Sequence, residues 1–335
     1  MGTLMRICYL SEGTPLCGGV KVTFEQAEAL QERGHHVEVI SKGARPDWYP
    51  LRVPFRQVNE FLPSVLPECD FLIGTFWPTV RVAVQSGKGR PVHLCQGYEG
   101  DTPAYDADRS TIEAVYRLPT LVLTVHEPLT KLIQVRFGKK AYTIGQGINH
   151  SLFFADQQQV KNEIPRVLLV GLYEDDCKGI ADGLTALRAL KQEMPVHVVR
   201  VSALGRSAKE AALGVGDDYH VRLHPTEMGP LYRSCDVLLG PSLAREGFGL
   251  PVLEALASGV PVAVSDTATF RAFANTNDWA LFFAEHDVNG MRLALRQLLT
   301  DEELCQRQRH RGLEIARQYT FARVAERIEQ VFRST

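Results

Sequence analysis

The sequence has 335 residues, 45% of them apolar and 23% charged. At roughly 100–200 residues per domain, that length argues for two domains or one large one, and the composition excludes a disordered, collagen-like or low-complexity chain. Its 37 basic and 39 acidic residues leave a formal net charge of −2, so no basic field exists to draw a nucleic acid.

In chain order, Met5–Leu10 reads as a short buried strand running into a glycine-rich loop, Gly13–Gly19. Val22–Arg33 has helical apolar spacing through Val22, Ala27, Ala29 and Leu30. Gly34 caps it, and His36–Ile40 alternates as a strand. A strand–loop–helix–strand unit of this kind opens a doubly wound sheet. Asp70–Gly74, Pro91–Cys95 and Leu121–Val125 read as further buried strands, Glu127–Phe137 as a helix, and Tyr142–Gly147 as a last short strand. The polar stretch Ala155–Pro165, with three consecutive glutamines, reads as a linker. The alternation then restarts, with strands at Arg166–Gly171, Val196–Val201, Asp236–Gly240 and Pro261–Ser265. Helices are expected at Gly179–Lys191, Pro251–Ala257, Asp287–Leu299, Asp301–Tyr319 and Phe321–Phe332. The expected class is α/β, in two halves of similar size.

The opening MGTLMRICYLSEGTP has too short an apolar run for a leader, and no stretch approaches a membrane span of ~18–20 apolar residues. The seven cysteines are scattered, and no two have a CxxC spacing, so neither a zinc knuckle nor a redox pair is expected. A reducing cytoplasm is the expected setting. His35–His36 and the basic run Arg307, Arg309, Arg311 read as structural and solvated residues.

The segment Pro241–Asp266, PSLAREGFGLPVLEALASGVPVAVSD, carries the chemistry. A strand feeds a loop with Glu246, Gly247, Phe248 and Gly249, Pro251 suits a first helical turn, and Gly259 stops that helix. Two glycines let backbone approach a ligand, and the amides of about Phe248–Val252 would point at an anion, as for a pyrophosphate. Glu246 and Glu254, seven residues apart in the spacer, bracket that cradle, with Glu254 expected in the first helical turn. A carboxylate accepts hydrogen bonds from vicinal hydroxyls, so the pair suggests a ribose on one side and a sugar on the other.

This block resembles the signature of the retaining glycosyltransferases of family 4. Other segments in the same order are similar to that family: Gly18–Gly19–Val20 after the first strand, Gln146–Gly147–Ile148–Asn149 with Phe153, Lys178–Gly179, Leu231–Asp236, and Tyr319–Thr320–Phe321. The resemblance implies the GT-B fold, two Rossmann-like doubly wound domains facing a central cleft. The expected domains are 1–155 for the acceptor side, 156–318 for the nucleotide-sugar donor, and 319–335 as a helix crossing back. It implies a metal-independent, retaining transfer from a nucleotide-diphosphate sugar to a glycan, lipid-linked or small-molecule acceptor, within polysaccharide biosynthesis. The nucleotide sugar would be a co-substrate; no resident cofactor, metal or nucleic-acid partner is expected. A lipid-linked acceptor would bring the protein to the inner membrane face.

Carried onto this chain, Glu254 would bind the ribose and Glu246 the donor sugar. Gly247, Phe248, Gly249 and Leu250 would form the backbone cradle, and Lys178 would neutralise the departing diphosphate. Gly18 and Gly19 would bring the first loop to the phosphates. The family's Arg after the first strand of the second domain is absent, since Gly171 is followed by Leu172 and Tyr173; Arg206 or Arg245 would have to substitute. The segment His93–Asp101 resembles a "QDYE" loop of some members, making Gln96, Tyr98, Glu99 and His126 the acceptor candidates. The alternatives are an epimerase or phosphorylase on the same fold, or a non-catalytic relative that binds sugar nucleotides.

Overall fold

The computed structural model describes residues 3–156 and 162–335. The chain divides into two compact units, Met1–Gly147 with Thr320–Thr335, and Ile148–Tyr319. The point of passage at 147/148 precedes the polar stretch 155–165. The reason is local: Phe153 is buried against Tyr232 (5.8 Å between centroids), and Arg233 donates to the Leu152 carbonyl, so residues just after 148 already belong to the second unit. Residues 157–161 of that stretch lie outside the described residues.

Unit 1 contains β1 (Arg6–Ser11), α1 (Gly18–Glu32), β2 (His36–Ser41), β3 (Phe55–Gln57), β4 (Phe71–Gly74), α2 (Trp77–Ser86) and β5 (Arg90–Cys95). It continues with α3 (Arg109–Tyr116), β6 (Leu121–Thr124), α4 (Glu127–Phe137) and β7 (Ala141–Thr143). Its strands pair in the order β3-β2-β1-β4-β5-β6-β7, every pairing parallel. Unit 2 runs β8 (Arg166–Val170), α5 (Ile180–Lys191), β9 (His197–Ser202), α6 (Ala208–Ala211), β10 (Asp218–Val221), α7 (Pro225–Arg233) and β11 (Val237–Gly240). Then follow α8 (Leu250–Ala257), β12 (Val262–Ser265), α9 (Ala268–Arg271), β13 (Leu281–Phe283), α10 (Val288–Thr300) and α11 (Glu302–Ala316). Its parallel order is β10-β9-β8-β11-β12-β13.

Each sheet reverses its strand order once, between β1 and β4 in unit 1 and between β8 and β11 in unit 2. In open parallel sheets, the loops leaving the carboxyl ends of the strands at such a reversal form the ligand crevice. The central strands are apolar because helices cover both faces. The edge strands β3, β10 and β13 escape a sequence reading because they are three or four residues long and only partly buried. The expected strand Tyr142–Gly147 shrinks to Ala141–Thr143. Gly18 and Gly19 open α1 rather than lying in the preceding loop.

The last helix, α12 (Phe321–Ser334), packs in unit 1. It buries Val324, Ala325, Ile328 and Phe332 in the core shared with Ile7, Val39 and Leu123, and Phe332 stacks on Phe71 at 3.8 Å. Glu329 fixes its rotation through ion pairs with Arg33 and Arg333 and a 3.5 Å contact to His35. Burial would raise the Glu329 carboxyl, but the two arginines outweigh it and hold it at about 2. A depressed carboxylate stabilises fully above its unfolded pKa near 4.3, and that stabilisation disappears as pH falls toward 2. After allowance for the exposed arginines, unfolding at pH 3 and pH 6 should show Glu329→Gln losing on the order of 2 kcal/mol relative to wild type at pH 6 and far less at pH 3. An equal loss at both pH values would refute this account of α12.

Candidate functional site

Lys178 and Glu246 hang from the two strands that flank the reversal in unit 2, Lys178 after β8 and Glu246 after β11. The first loop is a short turn in which the Asp175 carboxylate accepts the Cys177 amide at 3.1 Å. The second loop docks on it, as the Leu243 amide donates to the Cys177 carbonyl at 2.7 Å. That backbone bond brings the Lys178 ammonium to 2.8 Å from Glu246 Oε2. Gly179 is required at the junction: its φ is +61°, and a Cβ there would stand 2.1 Å from the Pro241 carbonyl oxygen.

The side chain of Glu246 is 8% exposed and that of Lys178 is 29% exposed. Burial pushes the Glu246 carboxyl up, yet the Lys178 charge, with hydrogen bonds from Lys178, Ser242 and the Phe248 amide, holds it below the usual range. Burial likewise lowers Lys178, and Glu246 more than reverses it. Both groups are therefore charged at neutral pH. Lys178 has three donors, and Glu246 takes one.

Gly249 starts α8 with a φ of +85°, and a Cβ would meet the Phe270 ring at 2.4 Å, so neither backbone nor space admits another residue. The Phe248 amide, expected to face a phosphate, is engaged by the Glu246 carboxylate. Pro251 has no N–H, and the Val252 amide bonds to the Gly249 carbonyl at 2.9 Å. Among the described residues, the amides of Gly249 and Leu250 have no backbone acceptor and remain for an anion. Gly247 completes the turn.

Glu254 lies in the second turn of α8, not the first, because the helix begins at Leu250. Tyr232, at 0% exposure, donates its hydroxyl to Glu254 Oε2 at 2.9 Å, and Phe153 packs edge-on against the Tyr232 ring. Ser242 escaped the sequence reading, and Tyr232 entered it only within the Leu231–Asp236 segment, with no role at the site, because each acts through a glutamate that spacing alone does not connect to it.

Of the two arginines expected to replace the missing one, Arg206 lies over the Tyr219 ring at 4.6 Å and donates to the Gly216 carbonyl at 3.1 Å. Arg245 is exposed beside the Cys177 turn, where its charge acts on that thiol. The residue that reaches Gly171 is Arg200, wholly buried on β9. It donates to the carbonyls of Leu169, Val201 and Gly171 at 2.9–3.1 Å and pairs with Glu210 at 2.8 Å. A single arginine inside the apolar strand VHVVRVS was the available signal. The acidic pairs Asp175–Asp176 and Asp217–Asp218 belong to the frame: Asp217 holds Lys191, and Asp218 holds His197 and Arg166. Among the described residues, no group of three or more His, Cys, Asp or Glu is placed to hold a metal ion.

In unit 1, Gln96 donates to the Gly19 carbonyl at 3.1 Å and ties the end of β5 to the start of α1. Tyr98 is buried against Tyr116 and Phe137, with the Arg136 guanidinium 4.4 Å from its ring centroid. Glu99 accepts from the Tyr116 hydroxyl and the Trp77 amide, and burial raises its carboxyl. His126 caps α4, its Nδ1 accepting the Leu129 amide at 3.1 Å. Gln96, Tyr98 and Glu99 thus cluster after β5, and His126 follows β6. Since a lost cap costs about 0.5–2 kcal/mol, His126→Ala should destabilise by that amount in urea unfolding, and His126→Asn should recover most of it. If Ala costs nothing, the ring is not a cap.

Residues 164–301, within unit 2, match the family described as Glycosyl transferases group 1. Over 172 residues the chain is 30% identical to a phosphatidyl-myo-inositol mannosyltransferase of Mycolicibacterium smegmatis, covering 50% of this chain and 44% of that one. It is 32% identical over 133 residues to the MMP alpha-(1->4)-mannosyltransferase of Mycolicibacterium hassiacum, covering 38% and 31%. The chain thus aligns with about half or less of the length of these curated relatives. Among solved structures, Anabaena Alr3699/HepE in complex with UDP and glucose superposes with a TM-score of 0.80 at 14% identity, covering 99% of this chain and 100% of that one. Sucrose-phosphate synthase from Thermosynechococcus elongatus superposes at 0.77 and 17%, covering 98% of each. The fold is therefore GT-B, built of two Rossmann-like domains. No described helix is long and apolar enough to cross a membrane.

Proposed function

We propose that the protein is a retaining glycosyltransferase that moves a sugar from a nucleotide-diphosphate donor to a hydroxyl of a sugar, glycan or lipid-linked acceptor. The carrying observation is the Lys178–Glu246 pair at the reversal of the unit 2 sheet, beside the two unengaged amides and the Tyr232-oriented Glu254. In this reading Glu254 accepts the ribose hydroxyls, and the amides of Gly249 and Leu250 take the diphosphate. Lys178 neutralises the charge that builds on the leaving diphosphate. Glu246 binds a donor-sugar hydroxyl while holding Lys178 in place.

The acceptor oxygen would form its bond to the anomeric carbon on the face from which the diphosphate oxygen departs. The acceptor proton passes to that oxygen, so no protein nucleophile takes part. Gln96, Tyr98, Glu99 and His126 belong to the acceptor side in this reading, and Arg206 or Arg245 would supplement Lys178. Arg206 is committed to Tyr219 and Gly216, and Arg245 lies beside the Cys177 turn next to Lys178. The reaction draws on no resident cofactor or metal. The HepE structures with UDP and UDP-glucose make uridine the first base to test, and the mannosyltransferase relatives make guanosine the second. Titration with UDP and GDP should show binding that Glu254→Ala weakens; Glu246→Ala should keep binding but lose transfer. If no nucleoside diphosphate binds, or both variants turn over at the wild-type rate, the reading is wrong.

A further inference from the structure

Unit 1 has a second feature that the nucleotide-sugar reading leaves unused. A pocket of about 370 Å³ opens at the amino-terminal ends of β5 and β6, lined by Arg90, Thr120, Lys139 and Lys140 among others. The candidate residues that follow β5 lie at the opposite end of the strand, five residue steps and about 17 Å away at ~3.3 Å per step.

No Asp or Glu is among the lining residues. None of the three cations has a carboxylate partner among the described residues. Lys140 lies over the Tyr142 ring at 4.9 Å, which leaves its ammonium facing solvent. Lys139 is half-buried and bonds only neutral acceptors, the Leu118 carbonyl and the Thr120 hydroxyl at 2.8 Å. Burial without a counter-charge lowers its pKa to about 8, and its field reaches the buried His93 on β5. A charge taken out of water is costly unless an opposite charge meets it. Here the protein provides the carbonyl and hydroxyl that aim the ammonium, and no Asp or Glu side chain lines the pocket to meet it. Pro91 and Pro119, with fixed φ, stiffen two walls, and Thr335 reaches the rim. The volume is that of a small-molecule site.

We propose that this pocket is a second, phosphate-recognising site in unit 1, built from Arg90, Lys139 and Lys140 and independent of the donor residues of unit 2. Two unpaired cations at the mouth attract the anion, and Lys139 receives it at the base. Its ligand carries a phosphoryl group, either on a small soluble molecule or as a lipid headgroup.

The test is titration of the full chain with inorganic phosphate, followed by NMR or calorimetry, beside flotation with phosphatidylglycerol and phosphatidylcholine vesicles. Reversal of both mouth charges, Arg90→Glu with Lys140→Glu, should weaken phosphate binding by at least about tenfold. Lys178→Ala should leave this component intact. Saturation by free phosphate with no vesicle preference identifies a soluble ligand; binding to phosphatidylglycerol but not phosphatidylcholine, lost in the reversed variant, identifies a headgroup. If wild type binds neither phosphate nor phosphatidylglycerol, or the reversed variant binds as wild type does, the proposal fails. Should the reversed variant melt early, Arg90→Gln with Lys140→Gln is read by the same criteria.

Discussion

Lys178→Ala is expected to lower donor turnover by roughly 10²–10³, the cost of removing one preorganised charge from a developing oxyanion. The effect should lie in kcat more than in nucleotide affinity, because the amides of Gly249 and Leu250 and the Glu254 carboxylate remain. A second consequence separates this from simple loss of a positive charge. Without Lys178, the Glu246 carboxylate keeps Ser242 and the Phe248 amide but loses the cation that offsets its burial. Its pKa rises, and the acid limb of the pH–rate profile moves to higher pH. Stability should fall by about 1–3 kcal/mol, less than for a wholly buried pair because Lys178 is partly exposed. Single-turnover kinetics over pH 4–8 and urea unfolding check both. An unchanged acid limb would show that Lys178 does not set the state of Glu246.

Arg200→Leu is expected to be the most destabilising single change in unit 2, by about 3–5 kcal/mol. It leaves the Glu210 carboxylate buried without its cation and strips donors from three carbonyls, including that of Gly171 at the end of β8. The companion change Glu210→Leu leaves Arg200 its three carbonyl acceptors, so it should cost less. The double variant should recover part of the loss, since no uncompensated carboxylate remains. Urea unfolding of the four chains closes the cycle. If the double variant is as unstable as the sum of the single changes, the pair is not coupled, and Arg200 serves only its carbonyls. Since Gly171 precedes the loop carrying Lys178, turnover should fall in Arg200→Leu even where the chain remains folded.

Much of unit architecture is local in origin. Buried parallel strands are continuous apolar runs, so RVLLV and DVLLG are legible without partners, and so is the helix Glu127–Phe137, which begins after a capping histidine and ends at a glycine. The edge strands are not, because their pairing is supplied by a neighbour rather than by their own pattern. Helix starts are equally uncertain. Gly18 and Gly19 read as loop but are helical, since Cys17 is the extended residue that caps α1 and Gln96 holds the Gly19 carbonyl. Glu254 sits one residue further into α8 than its sequence suggests, enough to pass the first turn, because Gly249, in the left-handed region, lets the helix start at Leu250.

What the sequence by itself determined is the alternation of strand and helix and the chemistry of the EGFGLPVLE block, where glycines, a proline and two carboxylates keep fixed spacings along one stretch of chain. Which side chains meet was decided by the tertiary structure. Lys178 reaches Glu246 only because β8 and β11 are neighbours at the sheet reversal and the Cys177 carbonyl pins one loop to the other. Glu254 is aimed by Tyr232 from a different helix, and Gly171 is held by an arginine from β9 rather than by a following residue. Spacing along the chain encodes period and turn chemistry. The few-ångström approach of charges that sets their protonation depends on strand order, which distant segments must pair to create.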